Sequence, residues 1–260
     1  MRISAVIIAF NEEANIAAAI DSARFADEIV VVDSGSTDLT REIAIELGAR
    51  VLEREWNGFS EQKNFAISVA AFDWILSLDA DERISPELRR EIESLKLSGP
   101  LAKAYRIPRL SIYLGREIRH GGWYPDYQIR LFDRNFGKWN DRIVHESFTP
   151  SKGITVGTLR GDILHFSVRS TQEHSEIIAR RYAPLTARQM LKEGRRTGPL
   201  RAILAGISSF LRSYILRAGF LDGFAGFQIA YFAAHNAILK HLILYELLNG
   251  EAVSAENLGK

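Results

Sequence analysis

Cysteine is absent from the 260 residues, so disulfides and thiolate metal sites are excluded. A reducing compartment fits that absence. No G-x-x-x-x-G-K-[ST] loop occurs and no G-x-G-x-x-G follows the first apolar run, which removes the P-loop and dinucleotide fingerprints. Internal repeats and low-complexity tracts are missing. A long apolar run is missing too. Gly223–Leu239 is 17 residues without Asp, Glu, Lys or Arg, marginal against the roughly 20 that a spanning helix needs. At the N-terminus, MRISAVIIAFNEE stops its short apolar run at acidic residues, which reads as a strand rather than a signal peptide.

What is present is ordinary for a folded protein: 47% hydrophobic and 25% charged residues. The net charge of +1 hides an uneven distribution. Residues 1–168 carry 21 basic and 25 acidic side chains, residues 169–217 carry ten against three, and residues 218–260 carry two against four. The middle block is arginine except for Lys192. A basic band among apolar helices points to an anionic membrane surface or a phosphorylated acceptor. It argues against nucleic acid, because the acidic half holds the candidate pocket.

The first half alternates strand and helix. Apolar runs at Ile3–Phe10, Glu28–Val32, Arg50–Glu53 and Trp74–Leu78 predict strands, with helices between them over Glu13–Arg24, Asp38–Leu47 and Glu61–Ala70. Pro86 suits the start of a further helix. Continuous apolar strands separated by helices imply an α/β fold with a largely parallel sheet covered on both faces. Residues 104–168, rich in aromatics and carrying Gly121-Gly122, predict short strands and loops that complete the domain. From Ser170 onward the pattern is helical. The resulting division is 1–168 for a catalytic domain and 169–260 for amphipathic helices that lie in a membrane interface.

Three predicted strands end in polar clusters: Asn11-Glu12-Glu13, Asp33-Ser34-Gly35-Ser36-Thr37-Asp38, and Asp79-Ala80-Asp81-Glu82-Arg83. Ligands of parallel sheets bind at the carboxyl ends of strands. Crowded carboxylates there require a cation or a basic partner. On an extended segment, Asp79 and Asp81 point to one side. Such a pair grips a hard divalent ion that also binds a diphosphate and stabilises charge on the leaving group.

The segments AVIIAFNEE, IVVVDSGSTDLT and WILSLDADER resemble the inverting family-2 glycosyltransferases of GT-A fold. The resemblance implies contacts to the base and ribose of a nucleotide sugar for Phe10, Glu12 and Asp33. It implies a ribose-side role for Asp79 and a Mg²⁺ or Mn²⁺ ligand role for Asp81. Lys63, in WNGFSEQKN, matches a stretch near the diphosphate. GGWYPDYQIRLF is similar to the acceptor-side region, where a glycine turn precedes an acidic residue at a helix start. Asp126 is therefore the expected catalytic base, with Glu146 its rival. Arg130 is expected to neutralise the departing diphosphate. Gln128 and Arg130 depart in spacing from the Gln-x-x-Arg-Trp element of processive members, which argues against a polymerising synthase. His165 fits the position of a further metal ligand better than His145. HFSVRSTQEHSEIIARRYA and the run from Tyr214 to Leu247 are similar to the bacterial lipopolysaccharide-core heptose glucosyltransferases. That similarity implies a UDP-hexose donor, UDP-glucose favoured, and a heptose acceptor on a glycolipid at the cytoplasmic face of the inner membrane. A polyprenyl-phosphate or protein acceptor, phosphoryl or nucleotidyl transfer, and a non-catalytic nucleotide-sugar-binding scaffold remain as alternatives.

Overall fold

The computed structural model describes residues 1–140 and 147–250. Packing divides the chain into two compact units. One is Met1–Leu110 with Pro125–Phe166, and the other is Ser111–Tyr124 with the described residues from Ser167 onward.

The first unit opens with the expected alternation: β1 (Ile3–Ala9), α1 (Ile16–Ser22), β2 (Glu28–Asp33), α2 (Thr40–Glu46), β3 (Arg50–Glu53), α3 (Phe59–Val69) and β4 (Trp74–Asp79). Every residue of β1 is buried, as its mainly apolar run requires for a strand covered on both faces. A three-residue strand, β5 (Glu82–Ile84), leads to α4 (Pro86–Ser98). The Ser85 hydroxyl accepts from the Leu88 amide at 3.2 Å and caps that helix. Pro86 occupies its first position, where no amide hydrogen is needed.

Residues 104–168 contribute β6 (Ala104–Tyr113), β7 (Arg116–Ile118), β8 (Asp126–Asp133), β9 (Gly137–Trp139), β10 (Phe148–Pro150), β11 (Val156–Thr158) and β12 (Ile163–Val168). The large sheet runs β3-β2-β1-β4-β8-β6-β12-β5, with β11 and β7 also paired to β6. It is parallel from β3 to β4 and mixed beyond. Segment 104–168 forms no α-helix among its described residues, so its neighbouring strands lack helical crossovers; β8 is antiparallel to both β4 and β6.

The second unit is helical: α5 (Thr171–Ile177), α6 (Ala183–Lys192), α7 (Pro199–Leu211) and α8 (Gly223–Asn249). Among the described residues, no helix is long and apolar enough to cross a membrane. The hairpin Ser111–Tyr124 packs in this unit because Tyr113 is fully buried there, its hydroxyl 3.0 Å from Nδ1 of His174. Burial pushes the Tyr113 phenol up to about 12, so the tyrosine donates and His174 accepts. The His174 ring also lies 4.2 Å, centroid to centroid, from Phe232. Burial is the main force that lowers its pKa to about 4. The nearby His235 adds to the lowering, and Glu173 opposes it.

Neutral His174 predicts a pH-dependent stability. The unfolded chain takes up a proton as pH falls through the ordinary histidine value of 6.5, whereas the folded chain refuses it until about 4. Between those values the unfolded state binds more protons, so stability falls as pH falls. Urea unfolding at pH 7 and pH 5 should show a lower midpoint at pH 5. His174→Gln, which keeps an acceptor for Tyr113, should flatten that difference.

Candidate active site

The register of the parallel strands sets the site. Ala9 of β1 pairs with Asp33 of β2, and Ile8 pairs with Asp79 of β4. Both aspartates therefore flank the carboxyl end of β1. The loops that follow are joined to each other. The Asn11 amide donates to the Ser36 hydroxyl, the Glu12 amide to the Thr40 hydroxyl, and the Thr37 amide to the Asn11 side chain, each at 2.8 Å.

Asp33 is fully buried and its carboxylate shapes its own loop. It accepts from the amides of Gly35 and Ser36 at 3.0 and 2.8 Å and from the Ser36 hydroxyl at 2.5 Å. Phe10, by contrast, is 56% exposed at the end of β1. Glu12 holds the Asn15 side chain at 2.7 Å.

Helix α3 anchors the same edge through three consecutive residues. Gln62 donates to the Ser34 hydroxyl after β2. Asn64 exchanges hydrogen bonds with the backbone of Trp139 on β9. Lys63, between them, reaches Asp79 with Nζ 2.9 Å from Oδ1 and lies over the Trp139 ring at 4.5 Å. A lysine on a helix usually keeps its ammonium in water. Here it is 1% exposed, because the end of β4 supplies a carboxylate to receive it.

Asp79 has a second cation. Arg130 of β8 donates to Asp79 Oδ2 at 3.1 Å and to Glu82 Oε1 at 2.8 Å. Glu82 is fully buried, and its other oxygen accepts from the Asp79 amide at 3.0 Å. Arg109 of β6 lies 3.5 Å from Glu82 and makes a forked pair with Asp126 Oδ2, through Nε at 2.9 Å and a terminal nitrogen at 2.7 Å. Three cations thus interleave with three carboxylates. Burial by itself would raise the Asp79 carboxyl. The charges of Lys63 and Arg130 overturn that effect and hold it far below the usual carboxylate range.

Asp81 stands apart from this cluster. Ala80 and Asp81 form a turn between β4 and β5, so Asp79 and Asp81 do not share one extended segment. The two carboxylates diverge to different partners: Asp79 to Lys63 and Arg130, Asp81 to His165, whose Nε2 lies 3.2 Å from Oδ2. The antiparallel pairing of β5 with β12 brings this histidine in. Its register sets Ile163 against Ile84 and His165 against Glu82, and the Phe166 amide donates to the Asp81 carbonyl at 2.9 Å. Gly161 permits the approach. A side chain there would collide with the Leu88 backbone at the start of α4. Glu91 of α4 receives the amides of Arg160 and Gly161 at 2.8 and 3.1 Å.

The donor chemistry of Asp81 and His165 suits Mg²⁺ or Mn²⁺, since oxygen and imidazole ligands both serve such ions. Among the described residues no group of three His, Asp or Glu side chains converges. Two protein ligands fit an ion that fills its remaining positions with phosphate oxygens and water.

Asp126 opens strand β8 rather than a helix. The Tyr127–Phe132 run pairs with both β6 and β4, and that pairing decides the conformation. Besides Arg109, the Asp126 carboxylate accepts from Gln128 at 2.8 Å. His145 and Glu146 lie outside the described residues. The structure brings Lys63, Asp79, Arg130 and Asp126 into one network, adds Asp81 and His165 beside it, and places Phe10, Glu12 and Asp33 at the neighbouring strand ends. Glu82 and Arg109 join the network without a motif that assigns them a role. Glu82 adjoins the Asp79-Ala80-Asp81 motif, and that adjacency was the available signal. Arg109 carried none.

The parallel sheet gathers carboxylates at its strand ends, and the antiparallel strands that extend it return arginines and a histidine to them. The model of Glycosyl transferase family 2 matches residues 4–149, and the chain belongs to that family. It is 34% identical to an uncharacterized glycosyltransferase of Rickettsia typhi, over 95% of this chain and 87% of that one. It is 31% identical to the lipopolysaccharide core biosynthesis glycosyltransferase LpsC of Rhizobium meliloti, over 94% and 92%. Among solved structures, it resembles glucosyl-3-phosphoglycerate synthase from Mycobacterium tuberculosis in complex with Mn²⁺, UDP and glucosyl-3-phosphoglycerate. The TM-score there is 0.46 at 21% identity, covering 76% of this chain and 81% of that one.

Removing one partner of a buried ion pair leaves an uncompensated charge, at a cost of about 3–5 kcal/mol. Lys63→Met should therefore destabilise the protein by about 3 kcal/mol in urea unfolding at neutral pH. The double variant Lys63→Met/Asp79→Leu should recover part of that loss.

Proposed function

We propose that the protein is a metal-dependent inverting glycosyltransferase that moves a hexose from a nucleotide diphosphate, UDP-glucose favoured, to a saccharide carried on a membrane lipid. The heptose of a lipopolysaccharide inner core is the favoured acceptor, at the cytoplasmic face of a bacterial inner membrane. The observation that carries this reading is the juxtaposition of Asp81 and His165 beside an Asp79 already neutralised by two buried cations. Likeness to LpsC over nearly the full length supports the acceptor class.

On this reading Asp81 and His165 hold the divalent ion, which when bound offsets charge on the diphosphate. Phe10 offers an exposed ring to the base, and Glu12 and the loop shaped by Asp33 take the nucleoside. Lys63 and Arg130 fix Asp79 toward the ribose side. Transfer is one in-line displacement. The acceptor oxygen bonds to the anomeric carbon, the bond from that carbon to the diphosphate oxygen breaks, and its electron pair leaves with the nucleotide. The acceptor proton passes to a carboxylate. Asp126 has the geometry for this role. A carboxylate offers about four lone-pair positions. Arg109 and Gln128 fill three of them, which fixes the group and leaves one open.

Two measurements test the assignment. UDP should raise the melting temperature only when Mn²⁺ or Mg²⁺ is present, and Asp81→Ala should abolish that dependence. Undiminished, metal-independent binding by the variant would refute the metal site. Asp126→Asn should lower kcat by about 10²–10⁴-fold, the usual worth of a general base, while leaving UDP binding intact. If Glu146→Gln does this and Asp126→Asn does not, the base is Glu146.

A further inference from the structure

The helical unit is built inside out. Helix α7 buries its small residues, Ala202 and Gly206, and exposes Leu200, Ile203, Leu204, Ile207 and Leu211. A helix on a water-facing surface does the reverse. Gly206 lies directly against α8, where a Cβ would come within 2.6 Å of the Ile238 side chain. Small residues at a helix crossing, with large apolar ones turned outward, are how helices pack in apolar surroundings.

The exposed face continues past α7. Leu216 is 79% exposed, Leu221 60% and Phe224 69%. Five rings join into one patch. Phe210 to Tyr214, Tyr214 to Phe220, Tyr214 to Phe227 and Phe224 to Phe227 have centroids 5.3, 6.3, 6.0 and 6.0 Å apart. Scattered apolar residues on a surface need no explanation, but a contiguous patch marks an interaction site.

Arginines border it. Arg116, Arg212 and Arg217 form no ion pair among the described residues. Hydrogen bonds tie together the segments around them. The nearly buried Asp222 accepts from the His120 amide at 2.8 Å and pairs with His120 Nδ1 at 2.7 Å, and the Gly121 amide donates to the Arg217 carbonyl at 2.9 Å. A second copy packed on this face would bring the same arginines with it and set like charges around the contact. An anionic bilayer complements both the apolar face and its basic rim.

We propose that this face docks on an anionic membrane. Helices α7 and α8 lie in the interface, Leu216, Leu221 and Phe224 pass below the phosphates, and Arg116, Arg212 and Arg217 bind the phosphates themselves. The proposal deepens the lipid-acceptor reading by naming the surface, and its test involves no sugar transfer. The full chain is floated with vesicles of phosphatidylethanolamine and phosphatidylglycerol in equal parts, or of phosphatidylcholine alone. The protein should rise with the anionic vesicles, less so at high salt. Leu216→Ser/Phe224→Ser should weaken binding roughly tenfold or more. Arg212→Gln/Arg217→Gln should lose the preference for anionic lipid. In Phe224→Trp, vesicles should shift the new indole's emission to the blue and brominated lipid should quench it, a readout that holds even if the double serine variant folds poorly. Wild-type protein that stays at the bottom of the gradient would overturn the proposal. So would a serine variant that folds and floats equally well, or emission from the Phe224→Trp variant that ignores lipid. A dimer in sedimentation that the serine variant dissolves would assign the face to a second copy instead. Normal flotation with no transfer to any lipid-linked sugar would count against the acceptor reading alone.

Discussion

The ion pairs at the end of β4 are the constraint on which the site depends. Asp79 ends β4 among the buried side chains of Lys63, Glu82 and Arg130. Without partners, burial would neutralise it. Two elements that are far apart in sequence supply those partners, α3 with Lys63 and β8 with Arg130, and Arg109 of β6 pairs with the Glu82 that Arg130 also holds. Glu82 then serves as the common acceptor between the two arginines. The site geometry and the packing of α3, β6 and β8 on the edge of β4 are therefore one problem with one solution. A shift of any of these elements would strand a charge.

The parallel half of the fold is legible in the sequence because its signal is local. β1, β2 and β4 are mainly apolar runs, and Pro86 announces α4. The antiparallel half is legible only as a change of texture. β5 is Glu-Arg-Ile, which carries no strand signal. It forms because β12 pairs with it, and β12 reaches it because Gly161 lies flat on α4. For the same reason the turn at Ala80-Asp81 was not foreseeable: two aspartates two apart look like neighbours on a strand until the strand is known to end at the first.

The site divides along the same line. Residues whose roles follow from a motif at a strand end, such as Asp33, Asp79 and Asp81, stand out in the sequence. Residues recruited across the sheet do not. Arg109 is 27 positions from Glu82, and nothing near it in sequence distinguishes it from Arg106. Lys63 shows that a motif can indicate proximity without environment: its stretch matches one near a diphosphate, and the carboxylate that buries it lies 16 residues downstream. The helical unit poses a related limit. Periodicity in α7 identifies an apolar stripe, but the stripe reads identically whether it faces in or out. Only Gly206 against Ile238 decides which side is covered.

The separation of Asp79 from Asp81 has an electrostatic consequence for the proposed chemistry. Lys63, Arg109 and Arg130 balance Asp79, Glu82 and Asp126, so that cluster carries no net charge and has nothing left over to attract a diphosphate at long range. Asp81 lies outside the balance, and its carboxylate alone would repel one. On the proposed reading, Asp81 and His165 would hold a divalent ion that would reverse the sign there, while the cluster behind it stays neutral. Attraction for the diphosphate would then depend on loading the ion, and the buried pairs would hold Asp79 on the proposed ribose side without competing for the metal. A single extended Asp-Ala-Asp pair holding one ion with both carboxylates would couple those two tasks; the turn after Asp79 keeps them separate.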